Sequence, residues 1–127
     1  MTQPVRKRIL VVDDEQIVCK SIRQALVRDD VIVDIALSAD EALRLEKAGP
    51  YDVIIIDLMM PGVSGLDLLK SLKEMSVKAR IIMITGYPTM RNTIQAMQIG
   101  AFEFLPKPFL PSDLRGAVDR ALETQPD

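Results

Sequence analysis

Three apolar runs in the chain each end on a polar residue of distinct chemistry. Ile9-Leu10-Val11-Val12 leads into Asp13-Asp14, Val53-Ile54-Ile55-Ile56 into Asp57, and Ile81-Ile82-Met83-Ile84 into Thr85. A looser run, Phe102-Glu103-Phe104-Leu105, reaches Lys107 through Pro106, and Val31-Ile32-Val33-Asp34-Ile35 forms a fifth. Runs this short and this apolar are the pattern of strands buried on both faces of a parallel sheet. Helical spacing fills the intervals: Ile17, Ile22, Ala25 and Leu26; Ala39, Ala42, Leu43 and Leu45; Leu66, Leu69, Leu72 and Met75; Met90, Ile94 and Met97; Leu114, Ala117, Val118 and Leu122. Five strand-helix units with right-handed crossovers place helices on both faces of the sheet.

The runs at 9–12, 53–56 and 81–84 are apolar throughout, whereas an acid interrupts those at 31–35 and 102–105. Interruption suits edge strands, which meet water on one side. The predicted architecture is therefore α/β, a single doubly wound (βα)5 sheet of the flavodoxin-like kind in the order 2-1-3-4-5. Its ligand crevice falls at the switch point between strands 1 and 3. Asp13, Asp14 and Asp57 border that crevice. Ser64, after the Pro61-Gly62 turn, is placed to cap the third helix, and Gly49-Pro50 and Gly100 to stop the second and fourth.

At 127 residues the chain is read as one domain, residues 1–127, with a core over about 7–122 and a frayed or linker-like end at 123–127. Apolar residues make up 48% and charged residues 27%, and the net charge is −2, so no basic face offers itself to nucleic acid or an anionic membrane. No apolar stretch approaches bilayer length, and the run after Arg6-Lys7-Arg8 meets Asp13 too soon for a secretion signal, which predicts a cytoplasmic location. The single cysteine, Cys19, reads as a small core residue. With no histidine present, Ser-His-Asp and Cys-His triads and His-based zinc sites are excluded, and any phosphohistidine must be supplied by another protein. Neither a G-x-x-x-x-G-K-[ST] nor a G-x-G-x-x-G motif follows the first strand, which argues against nucleotide binding.

Three carboxylates converging on one rim repel one another unless a cation intervenes. An oxygen-only donor set favours Mg²⁺, with Mn²⁺ as a substitute. Asp57, on the central strand, is the candidate phosphoacceptor, and the following Leu58-Met59-Met60-Pro61-Gly62 loop could offer a backbone carbonyl to the metal. A carboxylate accepts a phosphoryl group when the charge on the incoming oxygens is neutralised. Mg²⁺ held by Asp14 and Asp57 would do so from one side and Lys107 from the other. Thr85 would donate a hydrogen bond to a phosphoryl oxygen.

Asp13-Asp14-Glu15, Asp57-Leu58-Met59-Met60-Pro61-Gly62, Thr85-Gly86 and Lys107-Pro108-Phe109 together resemble the receiver domain of two-component response regulators. The segments at 84–88 and 100–109 look most like receivers of the nitrogen-regulator (enhancer-binding activator) class. The resemblance implies a phosphoryl group donated to Asp57 by a sensor histidine kinase or histidine phosphotransfer protein. It implies Mg²⁺ bound by Asp14 directly and by Asp13 through water, and phosphoryl contacts from Thr85 and Lys107. A cis Lys107-Pro108 bond rests mainly on the same resemblance. It further implies an aromatic switch three residues before the lysine, here Phe104, which lacks the hydroxyl many relatives carry. Phe104 is accordingly expected to lean inward before phosphorylation, leaving the fourth helix as the main reader of the switch.

The expected output face comprises the fourth helix, fifth strand and fifth helix, through which a homodimer is possible. On that helix Met90, Ile94 and Met97 form a stripe for which core packing is the more common reading and a repacking contact surface the alternative. Arg91, Gln95 and Gln98 are expected to face water, and Ser112 to cap the fifth helix, with Leu110 otherwise part of an interface. A Mg²⁺-dependent aspartyl-phosphate hydrolase is the enzymatic rival, but its acid-base position is occupied by Met59. The other rival, a receiver degenerated to a contact module, conflicts with intact Asp57, Thr85 and Lys107. Control of transcription would need a C-terminal domain outside this sequence.

Overall fold

The computed structural model describes residues 6–123. Its elements alternate without exception: β1 (Lys7–Val12), α1 (Gln16–Leu26), β2 (Val31–Ala36), α2 (Ala39–Ala48), β3 (Val53–Asp57), α3 (Gly65–Glu74), β4 (Arg80–Thr85), α4 (Met90–Ile99), β5 (Glu103–Pro106) and α5 (Pro111–Glu123). All four strand pairings are parallel and the order is β2-β1-β3-β4-β5. The flavodoxin-like α/β sheet read from the apolar runs is the one present.

Strand alternation divides the apolar runs between two cores. Leu10, Ile54, Ile56 and Met83 pack with Leu68, Leu69 and Leu72 of α3 and Ala96 of α4. Ile9, Val11, Ile55, Ile82 and Ile84 pack against Cys19 and Ile22 of α1 and Leu114, Ala117 and Val118 of α5. Every residue of β3 is buried, as a central strand covered on both faces requires. The edge strands differ. β2 is mostly half-buried, and its Asp34 accepts a hydrogen bond from the Tyr51 hydroxyl at 2.7 Å and pairs with Arg8 at 3.6 Å. β5 is a half-buried strand of four residues whose Glu103 is paired with Arg120.

Helix ends follow local chemistry. Ser38, Ser64 and Thr89 accept the N–H of Glu41, Asp67 and Asn92 at the starts of α2, α3 and α4. Gly49 and Gly100 close α2 and α4, and Gly100 adopts φ 127, where a side chain would be strained. The expected Ser112 cap is replaced: the Asp113 carboxylate accepts the Leu110 N–H at 3.0 Å, because it lies one turn inside the helix and reaches back to an unsatisfied donor.

Two apolar assignments are also corrected. Ile17, part of the apolar helical spacing of α1, is 81% exposed, since it sits in the first turn on the open groove between α1 and α5. The α4 stripe is not core: Met90, Ile94 and Met97 are 80%, 48% and 45% exposed, and α4 buries only Ala96. Arg91, Gln95 and Gln98 face water as expected. Cys19 is a buried core residue. The described residues contain no helix long and apolar enough to cross a membrane. Of the tail expected at 123–127, Glu123 ends α5, and residues 124–127 lie outside the described residues.

Candidate phosphoacceptor site

Parallel register assembles the site as a staircase. Val12 pairs with Ile56, Asp57 with Ile84, and Thr85 with Pro106, so the polar residue ending each strand stands one step beyond its neighbour's last rung. Asp13, Asp57, Thr85 and Lys107 thereby meet on the C-terminal rim. Asp14 follows on the same rim, exposed where Asp13 is fully buried. Oxygens of Asp13, Asp14 and Asp57 lie within 4.8 Å of one another. The Lys107 ammonium is 3.4 Å from Asp13 Oδ2 and 3.8 Å from Asp57 Oδ2. The Lys107-Pro108 peptide bond is cis.

Backbone donors orient the carboxylates. The Glu15 N–H donates to Asp13 Oδ1 at 3.0 Å and the Met59 N–H to Asp57 Oδ1 at 3.2 Å. Thr85 is fully buried, and its Oγ1 accepts the Tyr87 N–H at 3.1 Å, which leaves its own O–H available to donate. The Cys19 thiol lies 3.4 Å from the Asp13 carbonyl oxygen beneath the site; burial, then the Asp13 charge, push its pKa up to about 11, so it stays a neutral donor.

Burial, reinforced by the Asp13 carboxylate, pushes the Asp57 pKa up to about 6, against the opposing Met59 N–H and Lys107 ammonium. When all three acids ionise, three negative charges face one ammonium, and two remain uncompensated. A divalent cation among hard oxygen donors supplies that balance, so the residues present fit Mg²⁺ or Mn²⁺. Met59 follows Asp57 on an exposed loop. Phe104, paired with Met83 across β4–β5, is half-buried against the α2–α3–α4 core.

Two features escape a reading of the sequence. One is a groove of about 610 Å³ between α1 and α5, lined by Ile17, Ile22, Phe109 and Leu114 and bordered by Lys107; exposed Ile17 is its only trace in the pattern. The other is the seat of Gly65, the first residue of α3, directly against the backbone of Asp57 and Leu58. Its signal is a small residue opening a helix after a Pro-Gly turn.

Comparison with known proteins agrees with this geometry. The response regulator receiver domain profile matches residues 9–119. The chain is 34% identical over 115 residues to the transcriptional regulatory protein CutR of Streptomyces coelicolor, covering 91% of this chain and 52% of CutR. It is 37% identical over 116 residues to the DNA-binding transcriptional regulator NtrC of Azospirillum brasilense, covering 91% of this chain and 24% of NtrC. A receiver domain structure from Clostridium thermocellum superimposes with a TM-score of 0.84 at 37% identity, covering 92% of this chain and 94% of the other. The chain belongs to the response regulator receiver domain family, a signalling class rather than a class of enzymes with their own metabolites. Its relatives include a nitrogen-regulator protein, in keeping with the wording of residues 84–109. The chain spans about half the length of CutR and about a quarter of NtrC.

Proposed function

We propose that this chain is a phosphorylation switch: Asp57 accepts a phosphoryl group from a phosphohistidine on a sensor kinase or histidine phosphotransfer protein. One observation carries the reading, the Lys107 ammonium 3.8 Å from a buried aspartate that shares its pocket with two further carboxylates. An Asp57 oxygen attacks phosphorus, the P–N bond of the donor breaks, and its electron pair returns to the imidazole. Asp14, Asp57 and the Met59 carbonyl would hold Mg²⁺, with Asp13 acting through water, and the bound ion would neutralise charge on the incoming oxygens. Lys107 holds a second phosphoryl oxygen, and Thr85 and backbone N–H groups after Asp57 donate to the remaining charge. The absence of histidine in the chain fits an external donor, and the apolar groove beside Lys107 gives that protein a surface to approach.

The remaining parts of the reading follow from this switch. Residues 1–127 act as one receiver in the cytoplasm, with self-phosphorylation and slow dephosphorylation as their only chemistry. The output is transcriptional, through a C-terminal domain beyond this sequence, which the greater length of the relatives supports. Phe104, lacking a hydroxyl, leans inward before phosphorylation, and movement of α4 is the main reader of the switch. Phosphate need only prefer one of two states separated by a few kcal/mol.

Incubation with acetyl phosphate and Mg²⁺ followed by intact mass measurement tests the reading. One phosphoryl mass is expected per chain, absent when EDTA replaces the metal; no adduct on a folded protein contradicts it. The exposed α4 stripe gives a second expectation, because apolar residues in this pattern serve contact better than solvation. Met90→Asp with Met97→Asp is expected to change stability by less than about 1 kcal/mol in total, to leave phosphoryl acceptance intact, and to abolish self-association of the phosphorylated chain in sedimentation velocity. Unaltered self-association would remove α4 from the interface.

A further inference from the structure

We propose that Gly65 is a positioning residue for the phosphoacceptor loop: its lack of a side chain lets the start of α3 close the segment that carries Met59 against the end of β3. The inference rests on the reading of Asp13, Asp14, Asp57 and Met59 as a metal site, and it extends that reading to a residue that touches neither metal nor phosphate.

Gly65 is buried, and its N–H donates to the Leu58 carbonyl at 2.9 Å. This bond joins the two ends of the loop. A β-carbon at Gly65 would collide with the Asp57 carbonyl oxygen, lie 2.7 Å from Leu58 Cα and 3.0 Å from the Asp57 carbonyl carbon. All three atoms are backbone, so no flexible side chain can swing aside. The strand end cannot yield, because the Leu58 N–H is tied to the Ile84 carbonyl at 2.8 Å. Nor can α3 retreat freely, since Leu68, Leu69 and Leu72 are fully buried. The contact most easily lost is the Gly65–Leu58 bond, and with it the fixed placement of Met59.

Met59 bears two roles at once. Its N–H orients Asp57 Oδ1 at 3.2 Å, and its carbonyl belongs to the proposed ligand set. Opening the loop would therefore weaken metal binding and misalign the Asp57 acceptor together, while leaving the Asp13 and Asp14 carboxylates in place. A residue important only for packing would reduce stability without this selective effect.

Calorimetric titration of the full chain with MgCl₂, for wild type, Gly65→Ala and Leu72→Ala, separates the cases. Leu72→Ala removes core packing from the same helix without approaching the loop. Gly65→Ala is expected to lose about tenfold in Mg²⁺ affinity, the scale at which groups supporting metal ligands act. Its phosphorylation by acetyl phosphate at saturating Mg²⁺ should fall as well. Leu72→Ala is expected to bind Mg²⁺ within about twofold of wild type despite a comparable or larger loss of stability. Gly65→Ala matching wild type in Mg²⁺ affinity, or losing no more than Leu72→Ala, overturns the proposal. If Gly65→Ala does not fold, amide exchange of Gly65 in the wild type decides: saturating Mg²⁺ should slow it severalfold, and an unchanged rate overturns the proposal. A wild type that binds no Mg²⁺ overturns the metal-site reading itself, and the inference with it.

Discussion

Asp57→Asn is expected to abolish phosphoryl incorporation completely and, in metal-free buffer at neutral pH, to make the protein more stable. Both effects come from one cause. Asp57 is buried beside Asp13, and its pKa is pushed up to about 6 from 3.8. The sign is set by the proton: a folded state that holds its proton more tightly than the unfolded chain pays nothing below the unfolded value. It is progressively penalised as pH rises through about 6, where the carboxylate must ionise inside the fold. The amide lacks that penalty. Denaturant unfolding in EDTA should give similar stabilities for the two proteins near pH 4, with the variant ahead by on the order of 2 kcal/mol at pH 7.5. Mg²⁺ should narrow the gap at pH 7.5, because the cation binds the wild-type site more strongly. A variant no more stable than wild type at pH 7.5 would mean that Asp57 is not under electrostatic load. Retained phosphoryl incorporation would move the acceptor elsewhere.

Lys107→Ala should lower both stability and phosphoryl acceptance. Its ammonium lies against Asp13 and Asp57, and the lysine is itself three-quarters buried. Removing it leaves two carboxylates without their neutralising partner, and stability at pH 7.5 in EDTA should fall by roughly 1–3 kcal/mol. In phosphorylation the lost cation no longer meets the incoming oxygens, and the rate with acetyl phosphate at saturating Mg²⁺ should fall about 10²–10³-fold. Combining it with Asp57→Asn gives an internal check. With one carboxylate neutralised, the lysine's removal should cost less than in wild type, and a double-mutant cycle should return a coupling of about 1 kcal/mol or more. Strict additivity would imply that the 3.8 Å contact has no energetic content.

How much of this was legible in the sequence varies with the physics involved. Strand order could be read because edge strands meet water: Asp34 and Glu103 interrupt their runs, while residues 9–12, 53–56 and 81–84 stay apolar. The rim residues were legible because each follows a buried run, and parallel pairing then carries all of them to one side. Helical periodicity was weaker evidence. It marks a stripe but not what covers it, so Met90, Ile94 and Met97 looked like core although α4 turns that stripe outward. Ile17 failed similarly, since its exposure follows from the open groove between α1 and α5, which spacing within one helix does not record. The Asp113–Leu110 contact depends on a side chain's reach, and either Ser112 or Asp113 suits a helix start. Gly65 was hidden for a further reason: the approach of its backbone to Asp57 spans a loop whose closure no local pattern records.

The most direct measurement is to trap the phosphorylated protein and find the modified residue. After incubation with acetyl phosphate and Mg²⁺, borohydride reduction converts an aspartyl phosphate to homoserine, which tandem mass spectrometry locates in a peptide. Homoserine is expected at position 57 alone, and nowhere when EDTA is present. Homoserine at Asp13 or Asp14, or labelling independent of the metal, would contradict it.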